Sequence, residues 1–302
     1  MKTTKKIVTS VVLVAALGVV ITACADVMNA LEQATDENTA AGKLVRGANR
    51  IRKSFQDLDP SEEHFIGRSV AAAVLTLPGY KLSTDEAATD YVNKVGNGIV
   101  ASCDQVRSTF NGYHFAVLES EEINAFACPG GTVFVTRGLL KKTTNEDELA
   151  CVLAHEIAHV THRHGLAAIK KGNLVEGFKY LGEGAAQATL SDKDLKAVTG
   201  IFDDSIKDIV TTMVKSGYSK DAEYESDHSG ESFAAAAGYD PAGLRKVIAR
   251  MKEGAGGAGG MLSTHPAPDE RLGQLGAQKP YAGDSAALVT RSARFKKVFG
   301  GA

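Results

Sequence analysis

The segment His155-Glu-Ile-Ala-His159 constrains this chain more than any other feature, because it places two imidazoles and one carboxylate on a single helix. Residues four apart lie above one another on a helix face, so both histidines can reach one zinc ion at the roughly 2.1 Å of a zinc–nitrogen bond. Glu156 can then accept a proton from a water molecule that the ion activates. The pattern predicts a catalytic zinc site and is typical of the active-site helix of zinc peptidases.

The residues around this motif carry the signals of an amphipathic helix. Asn145 is a suitable N-cap, and Glu148 stands three residues later, as in a capping box that closes the first turn. Apolar side chains then recur at helical spacing, at Leu149, Val152, Leu153, Ile157 and Val160. The two histidines fall on the flank of this stripe, so the sequence predicts a helix that lines a cleft.

A catalytic zinc site needs a third protein ligand, and the sequence offers candidates far downstream. His162 lies about 10.5 Å along the helix from the first histidine, too far to share one ion, and His164 points to another face. The metzincin pattern, which needs glycine at position 162 and histidine at position 165, is not met. Glu223 and Asp227 are four residues apart, so one can bind the metal while the other orients a ligand histidine. On residue pattern alone, a solvated helix face is the commoner interpretation of such an acidic stretch.

Four separated segments resemble the gluzincin metallopeptidases of the HtpX and CAAX prenyl endopeptidase family. They are the histidine motif with its lead-in from Asn145, the acidic segment Glu223–Asp227, the strand and helix segment Ile123–Leu140, and the late segment Thr264–Leu272. Their order and spacing agree with the family, and the resemblance extends from about Ser61 to Leu272.

This resemblance implies a zinc endopeptidase with one zinc ion per subunit. The implied ligands are His155, His159 and Glu223. Glu156 is then the general base and afterwards the acid, and Asp227 is the partner that orients a ligand histidine. The family places His265 near the metal, where it stabilises the tetrahedral oxyanion or occupies the open coordination position at rest. A histidine that only sets a turn before Pro266 is the alternative.

The predicted fold is α+β and helix-dominated, a gluzincin metallopeptidase with a small mixed β-sheet and an active-site helix. Periodicity predicts helices over Ser61–Leu75 and Thr84–Val100, a strand over Tyr113–Leu118, and further helices within residues 165–217. We place the peptidase domain at residues 60–280, after a helical lead-in at 24–59 and before a C-terminal tail at 281–302. No repeat with a period near 34 appears, so a tetratricopeptide array is not expected.

A strand that binds extended peptides is predicted ahead of the active-site helix. The segment Pro129-Gly-Gly breaks the chain before the β-branched and aromatic run Thr132–Thr136, which predicts a turn followed by a strand. An extended substrate can add to an exposed strand through main-chain hydrogen bonds. A plain core strand with a glycine turn is the alternative. The residues expected to contact the peptide are Asn124, Ala125, Gly130 and Gly131.

The N-terminus predicts export and a lipid anchor. Three lysines precede an apolar stretch from Ile7 to about Val20, and small residues lead to Cys24, as in a bacterial lipoprotein signal covering residues 1–23. The stretch is short for a membrane span of about 20 residues, which disfavours an uncleaved anchor. No aspartate follows Cys24 directly. We therefore expect lipid on Cys24 and residence in an outer membrane, facing the periplasm.

Charge and family resemblance together limit the classes of molecule that the protein is expected to bind. Removing the three lysines of residues 1–23 from the 34 basic side chains leaves 31, against 36 acidic ones, a formal charge of −5 that disfavours nucleic acid. The resemblance implies polypeptide substrates, in particular unfolded or misassembled envelope proteins. The competing function is a zinc-binding lipoprotein with a chaperone-like or assembly role. The intact Glu156 argues against it, since zinc binding alone needs no base.

Two further expectations concern the cysteines and a glycine-rich run. Cys103 and Cys128 are candidates for a disulfide, and Cys151, one turn before the first histidine, is expected to be a core residue. Residues 254–260 contain only glycine and alanine, which cannot hold one conformation by themselves. We hypothesise a mobile loop that lets His265 move between two positions, with an inert linker as the alternative.

Overall fold

The structure is a computed structural model, and it divides the chain into residues 1–57 and a compact unit, Leu58–Ala302. It describes residues 58–168, 203–253, 264–276, 281 and 283–300. The signal segment, Cys24, the lead-in to residue 57 and the glycine-rich run at 254–260 lie outside the described residues. None of the described helices has both the length and the apolar character needed to cross a bilayer.

The described helices are α1 (Pro60–Leu75), α2 (Glu86–Ser102), α3 (Arg137–Lys142), α4 (Glu146–Thr161), α5 (His164–Ala167), α6 (Lys220–Ala236), α7 (Ala242–Glu253), α8 (Pro268–Gln274) and α9 (Ser285–Phe299). Residues 203–211 are also helical and run into a π-helical turn at Thr212–Ser216. Asp59 starts α1 with a capping box to Glu62, and Asp85 caps α2 through the amide of Ala88. The helices predicted at 61–75 and 84–100 are confirmed within two residues at each end.

Three short strands form a mixed sheet in the described part of the chain: β1 (His114–Leu118), β2 (Ala125–Ala127) and β3 (Thr132–Thr136). β3 lies in the middle, parallel to β1 and antiparallel to β2. The prediction of an exposed strand at Thr132–Thr136 is therefore wrong, because β3 is paired on both sides and buried after its first residue. The edge strands are β1 and β2, which a local pattern cannot reveal because tertiary pairing sets strand order.

Helix α4 is the centre of the fold, and every residue from Glu146 to Val160 is buried. α6 packs along it, and α2, α7, α9 and the sheet contact its other sides. The sequence predicted one apolar face and one cleft face, but neighbouring elements cover this helix all round. Asn145 is the N-cap as predicted, and it accepts from the Glu148 amide at 3.0 Å. The reciprocal bond of the capping box is replaced, since the Glu148 carboxylate accepts from the Thr144 amide at 2.8 Å and pairs with Arg250.

The C-terminal segment belongs to this core and is not a tail. Phe295 of α9 is buried in the main hydrophobic cluster. Arg291 pairs with Asp147 at 2.8 Å, and Arg294 pairs with Glu146. Both carboxylates lie in the first turn of α4, where the helix dipole favours negative charge. The expected tail therefore contains a helix that packs against the start of α4, and the boundary at residue 280 stays a prediction.

The three cysteines of the described residues are buried free thiols, which makes the expected disulfide between Cys103 and Cys128 wrong. Cys103 ends α2, whereas Cys128 joins β2 to the following turn. Burial and the charge of Glu156 both raise the pKa of the Cys128 thiol. Cys151 packs in the core as predicted, and its Sγ donates to the carbonyl oxygen of Asp240 at 3.3 Å.

Candidate metal centre and active site

Helices α4 and α6 bring the three expected ligands to one point. The Nε2 atoms of His155 and His159 face each other 3.0 Å apart, and each lies 3.7 Å from a carboxylate oxygen of Glu223. Ligand atoms about 2.0–2.1 Å from one ion at tetrahedral angles lie about 3.3 Å from each other, which is close to this spacing. The three residues therefore fit a tetrahedral metal site with one open position.

The chemistry of these groups also suits a cation. All three side chains are buried, and no described residue hydrogen-bonds either carboxylate oxygen of Glu223. Burial raises the pKa of Glu223 well above its usual range, and burial lowers the pKa of His155 and, more strongly, of His159. Neutral imidazoles that face each other beside an unpartnered carboxyl group leave several buried acceptors unsatisfied. A zinc ion suits this set of two nitrogen donors and one oxygen donor.

Gly230 explains how the two helices come so close. A Cβ atom at this position would lie 3.0 Å from the Cα and N atoms of His155, so a larger residue would push α6 away from α4. Ser219 caps the start of α6 by accepting from the Ala222 amide at 3.3 Å. This cap places Glu223 in the first turn of α6, opposite the histidines of α4.

Asp227, one turn beyond Glu223, contacts the other side of a ligand ring. Its Oδ1 lies 2.9 Å from Nδ1 of His155. Arg271 of α8 binds the same carboxylate twice, with Nε 2.9 Å from Oδ2 and Nη2 2.5 Å from Oδ1. Burial disfavours the charged form of Asp227, but the bonds and charge of Arg271 hold its pKa well below its usual range. Asp227 is thus an anion beside Nδ1 of His155, where its charge favours the tautomer with hydrogen on Nδ1, the one that presents Nε2 to a metal.

Arg271→Ala is expected to destabilise the protein by about 3–5 kcal/mol, because it removes one partner of a buried ion pair. Urea unfolding measures this change in the free energy of unfolding. Arg271→Lys should recover part of the stability, since an ammonium restores the charge but not the two-pronged contact. Lys220→Ala, which removes an exposed pair with Glu270, is the control and should change stability far less. Equal stability of Arg271→Ala and wild type would contradict this role.

Glu156 lies between the two histidines in sequence and is buried. Its Oε1 has no hydrogen-bond partner among the described residues. Burial raises the pKa of Glu156 to about 8, against the opposing charge of Arg271. A carboxyl group with a pKa near neutrality can both accept and donate a proton, and a nearby divalent cation favours its charged form. The residue thus has the properties of a general base that later acts as an acid.

His265 approaches the same point from the segment before α8. Its Nε2 lies 3.4 Å from Oε2 of Glu223, and its donor atom lies within 4.8 Å of those of the three ligands. Gly217 makes this approach possible, because its φ of 73° suits glycine and a Cβ there would lie 1.8 Å from the carbonyl oxygen of Thr264. Thr264 Oγ1 lies 3.0 Å from Nδ1 of His265. These contacts place Nε2 of His265 near the three ligand atoms, on the side of the open coordination position.

Three of the four residues expected to bind substrate are occupied by contacts within the fold. The main-chain N–H and C=O of Asn124 both bond Thr136, each at 3.0 Å, so neither is available to a peptide. Gly130 and Gly131 form a buried turn, with φ of 74° and 105°. Cβ atoms there would collide with α1 and with the carbonyl of Gly112, respectively. The main chain of Asn124 and the two glycines therefore support packing, and a contact of these residues with a peptide stays a prediction.

Ala125, the fourth, lies in the edge strand β2. Because the carbonyl of Asn124 and the amide of Cys128 bond β3, the main-chain groups of Phe126 also face β3. The N–H and C=O of Ala125 and Ala127 therefore point to the other edge. All three residues of β2 are buried, and the turn Thr212–Ser216 packs beside the strand. An added strand would meet the main chain of Ala125 and Ala127.

Three residues around the ligands had no assigned role from sequence. The ring of Tyr218 stacks on His159 with centroids 4.5 Å apart, in a position that no motif marks. His164 is not a ligand, but its Nδ1 lies 2.9 Å from Nδ1 of His159. Arg271 had a usable signal, because it lies six residues after His265 in the segment Thr264–Leu272, which already matched the family.

A buried His-His-Glu centre with an adjacent carboxyl group, on a helix-dominated fold with a small mixed sheet, defines a metallohydrolase of the zinc-peptidase class. The family model described as Peptidase family M48 matches residues 86–279. The chain belongs to peptidase family M48. At this level the expected family, the α+β fold class and the zinc cofactor are confirmed.

Relatives of the chain carry protease names. It is similar to "Beta-barrel assembly-enhancing protease" of Yersinia pestis, with 31% identity over 62% of this chain and 38% of that protein. The protein of the same name from Escherichia coli (strain K12) is 28% identical over 63% of this chain and 39% of its own length. "Mitochondrial metalloendopeptidase OMA1" of Schizosaccharomyces pombe is 28% identical over 74% and 63%. The chain spans about two fifths of the length of the two bacterial relatives.

Proposed function

We propose that this chain is a zinc-dependent endopeptidase that hydrolyses peptide bonds of unfolded or misassembled proteins of the cell envelope. The observation that carries the proposal is the convergence of His155, His159 and Glu223 on one buried point, with the buried carboxyl group of Glu156 on the helix that carries the two histidines. A protein that only binds zinc needs the three ligands but does not need the buried carboxyl group of Glu156. Glu156 therefore favours catalysis over a chaperone-like role.

Four side chains divide the work of the reaction. When held by the three ligands, zinc would supply Lewis acidity, which lowers the pKa of water towards neutrality and polarises a carbonyl. Glu156 accepts a proton from the attacking water and later gives it to the leaving amine. Asp227, held by Arg271, keeps His155 in the tautomer that presents Nε2. His265, whose Nδ1 faces the hydroxyl of Thr264, donates from Nε2 to the oxyanion that forms at the scissile carbonyl.

Substrate binding uses the outer edge of β2 in this proposal. An extended peptide would pair with the main chain of Ala125 and Ala127, next to helix α4, which contacts β2. Main-chain pairing does not depend on side-chain sequence, and it requires a substrate that is locally unfolded. The turn Thr212–Ser216 packs near β2 and is the described segment that a bound peptide could contact next.

Digestion of unfolded casein by the full chain tests the proposal. Cleavage should stop when a chelator removes zinc and return when zinc is restored, whereas magnesium should not replace it at a site with two nitrogen donors. Glu156→Gln protein, purified in the same way, controls for contaminating proteases. Cleavage that persists in chelator would overturn the zinc mechanism. Zinc-loaded wild type that binds casein without cutting it would support the chaperone-like alternative.

His265→Ala should lower kcat by about 10²-fold or more, the scale of losing one oxyanion donor. Steady-state cleavage of a fluorogenic peptide measures kcat and KM separately. Thr264→Val, which removes the hydroxyl next to Nδ1 of His265, should cause a smaller loss because the histidine remains. Faster cleavage by His265→Ala would show that the histidine mainly blocks the site at rest. Unchanged kcat and KM would contradict both roles.

We further infer that the protein acts at the periplasmic face of an outer membrane, attached through lipid on Cys24. The name of the Yersinia pestis relative refers to β-barrel assembly, and bacterial transmembrane β-barrels are outer-membrane proteins. Misassembled barrels expose unpaired strand edges, which suit capture by main-chain pairing with β2. Cys24→Ser is expected to abolish incorporation of labelled fatty acid in cells. Label on the variant protein would contradict the anchor.

A further inference from the structure

The second ligand, His159, is contacted at its other ring nitrogen by a histidine and not by a carboxylate. Its Nδ1 lies 2.9 Å from Nδ1 of His164, and the two rings are inclined at 73°. Nε2 of His164 in turn lies 3.2 Å from Oε2 of Glu225. Both histidines are buried, whereas the side chain of Glu225 is 50% exposed. These three side chains form a row of contacts from the metal position to the surface.

The contacts fix the hydrogen atoms on both rings. A histidine that binds a metal through Nε2 carries its hydrogen on Nδ1, so His159 donates to Nδ1 of His164. His164 must then carry its own hydrogen on Nε2, the nitrogen that faces the Glu225 carboxylate. The Ser226 hydroxyl lies further from the same nitrogen, at 3.3 Å. One assignment of tautomers therefore satisfies the contact between the two rings and the contact with Glu225.

The backbone after α4 turns back to bring His164 to His159. On a continuous helix, a residue five positions later lies about 140° further round the axis and does not meet the first. Arg163 ends the helix with φ of 61°, and among the described residues it is the only non-glycine with positive φ. Its guanidinium is held by Glu63, with Nε 3.2 Å from Oε2, and by the carbonyl of Leu58 at 3.0 Å. A strained turn that is fixed in this way indicates a functional constraint.

We propose that His164 is the positioning residue for the metal ligand His159, and that Glu225 fixes the tautomer of His164. The two ligand histidines are then oriented by unlike partners, an anion for His155 and a neutral ring for His159. A carboxylate partner raises the basicity of its histidine, and a neutral partner does so less, which leaves the metal the stronger Lewis acid. The inference rests on the proposed zinc site and adds a residue to it.

Zinc affinity of the full chain, measured by competition with a chelating dye, tests this role. His164→Ala is expected to bind zinc about 10- to 100-fold more weakly, the range for loss of a ligand's hydrogen-bond partner. His164→Asn should recover most of the loss, because its side-chain oxygen can lie where Nδ1 lies now. His164→Gln should not, because its amide lies further out, in place of Nε2. His114→Asn is the matched control, because His114 is exposed at the start of β1 and contacts Asn111, and this variant should bind zinc like wild type.

Equal zinc affinity of His164→Ala and wild type would overturn the proposal, and so would equal losses for His164→Ala and His164→Asn. Nitrogen chemical shifts of the histidine rings in zinc-loaded wild type give a second readout that needs no variant. We expect hydrogen on Nδ1 of His159 and on Nε2 of His164, and the opposite tautomer of His164 would also overturn the proposal. Zinc binding without cleavage would count against the proposed function and not against this inference. A wild type that binds no zinc would overturn both.

Discussion

Glu156→Gln is expected to lower kcat on unfolded casein by about 10²- to 10⁴-fold while leaving the zinc content unchanged. Glutamine has nearly the shape of glutamate but cannot accept a proton, so the variant keeps the three ligands and loses the base. Burial raises the pKa of Glu156 to about 8, so the folded metal-free protein holds this group largely neutral at pH 7. A neutral glutamine should therefore not destabilise the metal-free fold.

Zinc per chain is measured by atomic absorption and kcat by peptide cleavage on the same samples. Glu270→Gln is the matched control, because this glutamate is exposed on α8 and pairs with Lys220. It should retain wild-type kcat and zinc content. Wild-type cleavage by Glu156→Gln would remove this residue from the mechanism, and loss of zinc would show that it helps to hold the metal.

Glu223→Gln should have opposite effects on the melting temperature without zinc and with zinc, relative to wild type. In the metal-free protein, Glu223 is a buried carboxyl group whose pKa is raised by burial and which no described residue bonds. Replacing it with a neutral amide should leave the melting temperature of the metal-free protein equal or higher. With zinc, the order should reverse, since a ligand present at 1,000 times its Kd stabilises the wild type by about 4 kcal/mol and the variant loses this gain.

Thermal unfolding with and without zinc measures both differences in melting temperature. Asp221→Asn is the matched control, because Asp221 is exposed in the same first turn of α6. Its melting temperature should rise with zinc as in wild type. An undiminished zinc-induced rise in Glu223→Gln would assign the third ligand to another residue, and His265 would be the first candidate.

The parts of the site that sequence could predict are those that local spacing determines. The N-cap at Asn145 and the pair His155 and His159 follow from positions within one helix, and the structure has α4 where the pattern predicts it. The acidic pair on α6 was found by the same spacing, but only the family resemblance distinguished Glu223 as ligand from Asp227 as its neighbour. Nothing in the local pattern states which of two carboxylates meets a histidine on another helix.

The parts that sequence could not predict depend on contacts between distant segments. Arg271 reaches Asp227 across 44 positions of the chain, and its two bonds exist only because α8 packs against α6. His164 was assigned to another face of α4, because helical geometry was extended through Arg163, where the chain takes a left-handed turn. β3 was expected at an exposed edge, since an apolar strand looks alike in the middle of a sheet and at its edge.

Enclosure of α4 makes the metal centre depend on a helix more than 120 positions further along the chain. A helix covered on every side opens to solvent only when the whole unit unfolds, so its amide hydrogens should exchange at the global rate. α9 supplies the last part of this cover, through Phe295 and through Arg291 at the first turn of α4. We therefore expect that a chain without residues 285–299 forms no metal centre. On the proposed function, proteolysis would then begin only after α9 has packed.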